Sequence, residues 1–186
     1  MEKPSDPRRL DIRRLAEREA VIGGELPLQD LPRLREEAPT AEPATPVVWQ
    51  AWMGLEARAG GAARPTLRLE ARTTLPLTCQ RCLQPVAVAL AVDRAFRFEA
   101  DEAAAAAEDE FSDEVDVLVE SRRFDLLELL EDELVMALPV VPRHDTCPAP
   151  VTLSSADPGF EQALRERENP FAALAKLKAG SGGTGL

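Results

Sequence analysis

The chain has 186 residues, of which 45% are hydrophobic and 4% aromatic, and its formal net charge at pH 7 is −11. This length allows one domain with a real core plus tails. No apolar run approaches the ~18–20 residues of a membrane span, and residues 1–7 lack the apolar stretch of a secretory signal. We therefore expect a cytoplasmic protein that does not engage a membrane.

The negative charge is concentrated in one part of the chain. Residues 99–145 hold sixteen Asp and Glu residues against three Arg. Such a density of carboxylates repels phosphate, so the charge argues against a general nucleic-acid binder. A basic protein partner suits the chain better.

The composition divides the chain into three predicted segments. Residues 1–46 should form an N-terminal helix and a proline-rich loop, 47–147 a core α+β domain, and 148–186 a C-terminal extension. Apolar residues among the arginines of residues 5–20 predict a short amphipathic helix, and the prolines of residues 35–46 predict a loop.

Alternation of apolar and polar residues predicts three long strands, over residues 47–57, 66–78 and 86–98. Arg94 is the single break in the apolar parity of the third. Residues 99–114 are acidic, rich in alanine and low in complexity, which favours a mobile loop. Residues 115–119 then alternate again and predict a short fourth strand.

The strongest helix signal follows these strands. Asp125 is a good N-cap with Glu128 three residues later, and a stripe of leucines at helical spacing runs to Pro139, which ends the helix. The other face is acidic and is either a solvated surface or a docking site for a basic partner. Its acidic residues are Glu128, Glu131, Asp132 and Glu133.

The C-terminal extension contains a second helix signal. Asn169 and Pro170 form an N-cap and first-turn pair, and Phe171, Leu174 and Leu177 then share one face. A helix this short does not persist alone in water, so it packs on the domain or folds on a partner. The glycine-rich residues 180–186 predict a flexible end.

Cys79 and Cys82 stand at C-x-x-C spacing between two predicted strands. A thioredoxin-type redox pair needs a helix after its first cysteine, whereas a turn between antiparallel strands is typical of a zinc knuckle. The knuckle supplies only two ligands. His144 and Cys147, in the loop after the acidic helix, would complete a Cys3His set for zinc. Alternatively, they are ordinary exposed side chains, since the long separation of the two halves matches no compact finger pattern.

The sequence predicts no catalytic site. It contains no nucleophile elbow, phosphate-binding glycine loop or H-E-x-x-H pattern, and the single histidine has no evident nucleophile beside it. We expect a binding or assembly module rather than an enzyme. Its predicted fold class is α+β: an antiparallel sheet of about four strands, one amphipathic helix packed on it, and short terminal helices.

Three blocks of sequence resemble the bacterial YceD family, the large ribosomal RNA subunit accumulation proteins. They are the C-Q-R-C-L-Q-P turn of residues 79–85, the run D-L-L-E-L-L-E-D-E-L-V-M-A-L-P-V-V-P-R-H-D of 125–145, and N-P-F-A-A-L-A-K-L-K of 169–178. Many members of that family carry a second cysteine pair after the helix. Here His144 stands about where the first of those cysteines would fall, and Cys147 lies near the second.

The resemblance implies a non-enzymatic factor for the accumulation of 23S rRNA and the maturation of the large ribosomal subunit. The expected partner is a basic ribosomal protein or an rRNA-processing enzyme on pre-ribosomal particles. One alternative is direct rRNA binding through Arg8, Arg9, Arg13 and Arg14 or the C-terminal lysines. The other is a zinc-dependent structural or redox module centred on Cys79 and Cys82.

Overall fold

A computed structural model describes residues 6–58, 60–110, 115–148 and 155–166. The chain splits into two compact units, residues 1–147 and 148–186. The strands of the first unit are β1 (Val21–Pro27), β2 (Pro46–Glu56), β3 (Arg64–Thr78), β4 (Pro85–Glu99) and β5 (Asp116–Val119). Its helices are α1 (Ile12–Ala16), α2 (Pro32–Glu37), α3 (Glu102–Asp109) and α4 (Leu126–Met136), and α5 (Phe160–Glu166) belongs to the second unit.

The five strands form one sheet in chain order. Strands β1 to β4 pair antiparallel, and β5 pairs parallel with β4. The α+β class and the mainly antiparallel sheet are thus confirmed, together with the three long strands and the short one. The sheet has one strand more than the sequence indicated, because β1 lies in a region expected to end a helix.

One face of the sheet carries the core. Alternate residues of β2 and β3 are buried, from Val47 to Met53 and from Leu67 to Leu77, and they pack with buried residues of α1, α2 and α4. The opposite face is half-exposed and polar; it holds Trp52, over whose ring the Arg68 guanidinium lies 5.9 Å from the centroid. The strand periodicity therefore identified the core face correctly.

Three local predictions are wrong in part. The N-terminal helix covers Ile12–Ala16 instead of residues 5–20, and part of the expected proline loop is α2, with Pro32 in its first turn. Half of the expected acidic loop is α3, whose N-cap Asp101 accepts a hydrogen bond from the Ala104 N–H at 2.8 Å. α3 gains its anchor from arginines of distant strands, which local composition cannot reveal.

The helix predicted at Asp125 is confirmed. The Asp125 carboxylate accepts hydrogen bonds from the backbone N–H groups of Leu127 and Glu128, both at 3.0 Å, and the helix ends at Met136, before Pro139. The predicted C-terminal helix of residues 169–178, with Phe171, Leu174 and Leu177, lies outside the described residues. The predicted boundary between the N-terminal segment of residues 1–46 and the core domain that starts at residue 47 stays a prediction.

Candidate metal centre

The turn between β3 and β4 places the first two cysteines. The Cys79 N–H donates to the Gln84 carbonyl at 3.0 Å, and the Leu83 N–H donates to the Cys79 carbonyl at 2.9 Å. Leu83 has φ +59°, a left-handed conformation that is unusual for a residue with a side chain. The closed turn keeps both cysteines at the end of the hairpin, with Cys79 fully buried.

The segment after α4 brings the other two residues to this turn. The Gln80 N–H donates to the Pro142 carbonyl at 2.8 Å, which fixes a segment whose prolines already restrict its backbone. The His144 N–H points at the Cys79 sulfur, with 3.5 Å between N and Sγ. A link between residues far apart in the sequence thus assembles the site.

The four side chains converge closely. The ligand atoms of Cys79, Cys82, His144 and Cys147 all lie within 4.8 Å of one another, and His144 Nδ1 is 3.4 Å from Cys82 Sγ. Sulfur ligands about 2.3 Å from a tetrahedral zinc ion stand roughly 3.8 Å apart. The donor types, their number and their spacing fit structural zinc.

The orientation of the histidine ring also suits a metal ligand. Its Nε2 lies 3.1 Å from the Pro85 carbonyl oxygen, which can only accept, so Nε2 must carry the hydrogen in that bond. In the neutral ring, Nδ1 then has a free lone pair directed toward the sulfurs. Zinc-binding histidines commonly donate their second N–H to a carbonyl in this way.

Arg81 is a supporting residue that the sequence reasoning did not single out. Its Nε donates to Cys147 Sγ at 3.0 Å, and one terminal nitrogen donates to the carbonyls of His144 and Asp145 at 2.8 and 3.2 Å. The bond to Cys147 raises the pKa of Arg81 above its ordinary value. The sequence feature that could have indicated this role is the position of Arg81 between Cys79 and Cys82.

The thiols differ in acidity. Burial raises the pKa of the Cys79 thiol, but backbone N–H donors from His144, Cys82 and Arg81 outweigh it and lower this pKa to about 5. At Cys82 the hydrogen bond with the Gln84 backbone lowers the pKa of the thiol. Burial and the neighbouring sulfurs raise this pKa by more, so the net shift is upward. One sulfur is therefore a ready thiolate beside a second thiol.

Comparison with known proteins identifies the family of the chain. The family model of the Large ribosomal RNA subunit accumulation protein YceD matches residues 67–178, which include both halves of the site. The chain belongs to the YceD family. A relative from Haemophilus influenzae, named Large ribosomal RNA subunit accumulation protein YceD, is 33% identical over 103 residues. That alignment covers 55% of this chain and 59% of the relative. No solved structure matches.

In this YceD family member, two acidic residues of α4 are buried, whereas the sequence suggested that the whole acidic face is exposed to solvent or to a partner. Glu131 is 6% exposed and accepts hydrogen bonds from the backbone N–H groups of Arg33 and Leu34, at 2.7 and 3.2 Å. It thereby satisfies the first turn of α2, which has no cap of its own. Asp132 pairs with the Arg33 guanidinium at 2.5 Å.

Glu133 is the second of these buried residues. It is 8% exposed, and its carboxylate lies 3.4 Å from Arg94 Nε, which explains why β4 breaks its apolar parity at Arg94. Of the four predicted partner-binding residues on α4, Glu128 alone is exposed, and their role in binding stays a prediction. Helical periodicity shows which carboxylates share a face of α4, but not which of them form ion pairs with arginines of other elements.

The N-terminal arginines are partly engaged as well. Arg13 forms two bonds with the Glu120 carboxylate, at 2.8 and 2.6 Å, and a third with the Ala63 carbonyl. Arg8 lies 3.5 Å from Asp125. These contacts leave less charge for phosphate than the sequence suggested. No described helix is long and apolar enough to cross a membrane.

Proposed function

We propose that this chain is a non-enzymatic cytoplasmic factor in the accumulation of large-subunit ribosomal RNA, acting through contacts with a basic protein partner. The observation that carries the proposal is the family match over residues 67–178, which supports a role like the one in the family's name. The net charge of −11 supports a protein contact in preference to an RNA contact. Pre-ribosomal large subunits are the proposed site of action.

A deletion strain tests this function. Removing the gene should reduce 23S rRNA relative to 16S rRNA, and expressing the intact chain should restore the ratio. Precursor particles isolated with the tagged protein should retain a basic large-subunit protein or an rRNA-processing enzyme after nuclease treatment. An unchanged rRNA ratio in the deletion strain would contradict the proposal. RNA retention by the purified chain alone would favour direct rRNA binding instead.

We further propose that Cys79, Cys82, His144 and Cys147 bind a structural zinc ion. The convergence of four ligand atoms and the His144–Pro85 bond support it. When bound, zinc would link the β3–β4 turn to the segment that follows α4. The closed set of four protein ligands leaves no open coordination position, which favours a structural role over a catalytic one.

A redox role is the competing proposal for the same cysteines. It is supported by the closeness of the Cys79 and Cys82 sulfurs, which lie within 4.8 Å of each other. A Cys79→Ser, Cys82→Ser double variant separates both proposals from the family role. Normal restoration of 23S rRNA by this variant would show that neither zinc nor thiol chemistry is needed for function.

A further inference from the structure

The outer edge of β1 has hydrogen-bonding groups that pair with no described residue. β1 ends the strand order and pairs with β2 alone among the described strands. The Met53 N–H donates to the Ala20 carbonyl, and the register pairs Val21 with Trp52. In an antiparallel ladder the residues that bond to the partner strand alternate. The N–H and C=O groups of Val21, Gly23 and Glu25 therefore point away from β2.

A cleft of about 480 Å³ lies along this edge. Its apolar lining residues are Pro7, Val21, Ile22, Leu26, Trp49 and Leu127. Gly24 also lines the cleft, and a Cβ added there meets no described atom within 4 Å. The missing side chain leaves room above Trp49, the residue paired with Gly24 on β2. The free backbone groups and the cleft are thus adjacent.

Natural edge strands are usually protected from further pairing by lysines, bulges or covering segments. β1 carries no lysine, and its backbone is in register with β2 over all seven residues. Proline at position 27, which has no N–H, limits the free edge at one end. An extended peptide added beside β1 would satisfy the free groups and place alternate side chains in the cleft.

The charge around the cleft indicates the kind of peptide. Glu25 of β1 lines the cleft and is exposed, and its carboxylate forms no ion pair with a described residue. Arg8, the basic residue nearest in sequence to Pro7, contacts Asp125 at 3.5 Å and the Asp30 carbonyl at 3.3 Å. The free carboxylate of Glu25 and the net charge of −11 favour a basic segment.

We propose that β1 is a docking edge for an extended, basic segment of a partner protein, which adds a strand to the sheet and inserts an aliphatic side chain over Gly24. The inference rests on the proposed function in one respect, that the chain engages a protein partner. It adds the place of contact and the conformation of the partner.

Purified intact protein and a defined probe test the docking edge. The probe is a synthetic peptide of alternating lysine and valine, about ten residues long, enough to span a typical strand. The matched control alternates glutamate and valine. We expect the basic peptide to bind and the acidic one not to bind. In the complex, amide exchange measured by NMR should slow by at least tenfold at Val21, Gly23 and Glu25.

Two variants localise the contact. Gly24→Val places a side chain in the cleft, at a position where an added Cβ meets no described atom within 4 Å, and should weaken peptide binding by at least tenfold. Gly54→Ala, on the other face of β2 with its nearest neighbour at 3.6 Å, should bind like the wild type. Circular dichroism and thermal unfolding show that both variants fold.

Three results would overturn the inference. They are no binding of the basic peptide, equal binding by Gly24→Val, or unchanged exchange at the three amides in the complex. Two further results would also overturn it. If the three amides are already protected in the free protein and their protection increases with protein concentration, the edge pairs with a second copy of the chain. If that protection does not depend on concentration, the edge pairs with the chain's own residues. All of these results leave the rRNA ratio in the deletion strain untouched, so failure of the docking edge is distinguishable from failure of the proposed function.

Discussion

At the scale of single residues, the buried carboxylate of Glu131 has the clearest structural task, because it accepts two backbone N–H groups of α2. Glu131→Ala should lower the free energy of unfolding by about 1–3 kcal/mol, since both donors lose their acceptor. Urea unfolding measures the change. The control is exposed Glu128→Ala on the same helix, which should stay within about 0.5 kcal/mol of the wild type. Equal effects of the two substitutions would contradict the assigned contacts.

Arg81 acts on the proposed metal centre through its neighbours. Arg81→Gln removes the charged donor at Cys147 and loosens the loop that carries His144. Because outer-shell partners of this kind contribute about 10–100-fold to metal affinity, we expect a loss in that range. Competition with a chromophoric chelator measures it. Arg143→Gln in the same segment is the control, and identical affinities of the two variants would argue against a supporting role for Arg81.

Glu133 is expected to oppose stability at neutral pH. Burial raises the pKa of its carboxyl, although the positive charge of Arg94 partly lowers it. The folded state then holds the proton to higher pH than the unfolded state, so ionisation costs stability as the pH rises through the raised pKa. The stability of Glu133→Gln relative to the wild type should therefore increase as the pH rises above the unfolded pKa of about 4.3. A relative gain that grows on acidification would contradict this sign.

At the scale of elements, α3 depends on an ion-pair network. Arg64, with 13% of its side chain exposed, lies 2.7 Å from Glu108 of α3, 2.7 Å from Glu56 of β2 and 3.3 Å from buried Glu99. These bonds join α3 to the sheet. They also explain why an alanine-rich acidic stretch without a clear apolar face is ordered, although its composition indicated a mobile loop.

The network predicts a defined pH dependence. Hydrogen bonds from Arg64 lower the pKa of Glu56 and of Glu108. The two ionised carboxylates stabilise the folded state fully above the unfolded pKa of about 4.3. This stabilisation is lost as the pH falls through their lowered pKa values in the folded state. Arg64→Met should be less stable than the wild type at pH 7, and the difference should shrink below pH 4. Thermal unfolding measured across this pH range tests the prediction. A stability difference between Arg64→Met and the wild type that stays constant with pH would contradict the network.

The elements also show what local sequence can reveal. The leucine stripe of α4, its Asp125 cap and the alternation of β2, β3 and β4 are local signals, and each was predicted. β1 has Gly23 and Gly24 at its centre, both poor strand formers, and it forms a strand because β2 offers a free edge. Gly23 fits closely there, since an added Cβ would lie 2.7 Å from the Trp49 carbonyl oxygen.

At the scale of the whole molecule, the candidate metal centre joins two parts of residues 1–147 that are far apart in sequence. The residue types were readable from the sequence, but their convergence was not, because it depends on the length and path of α4 and on the Gln80–Pro142 bond. The same limit applies to the acidic surface. Sequence alone could not show that Glu131 and Glu133 turn inward to Arg33 and Arg94.

The metal content of the purified protein tests directly whether Cys79, Cys82, His144 and Cys147 bind zinc. Native mass spectrometry of intact protein, purified without chelator and without an affinity tag that binds metal, should show one zinc ion per chain. Cys82→Ser should show little or none, and the midpoint of thermal unfolding of the wild type should fall when a strong chelator is added. Zinc-free wild-type protein that takes up no zinc on titration, and whose unfolding is insensitive to chelator, would contradict the claim.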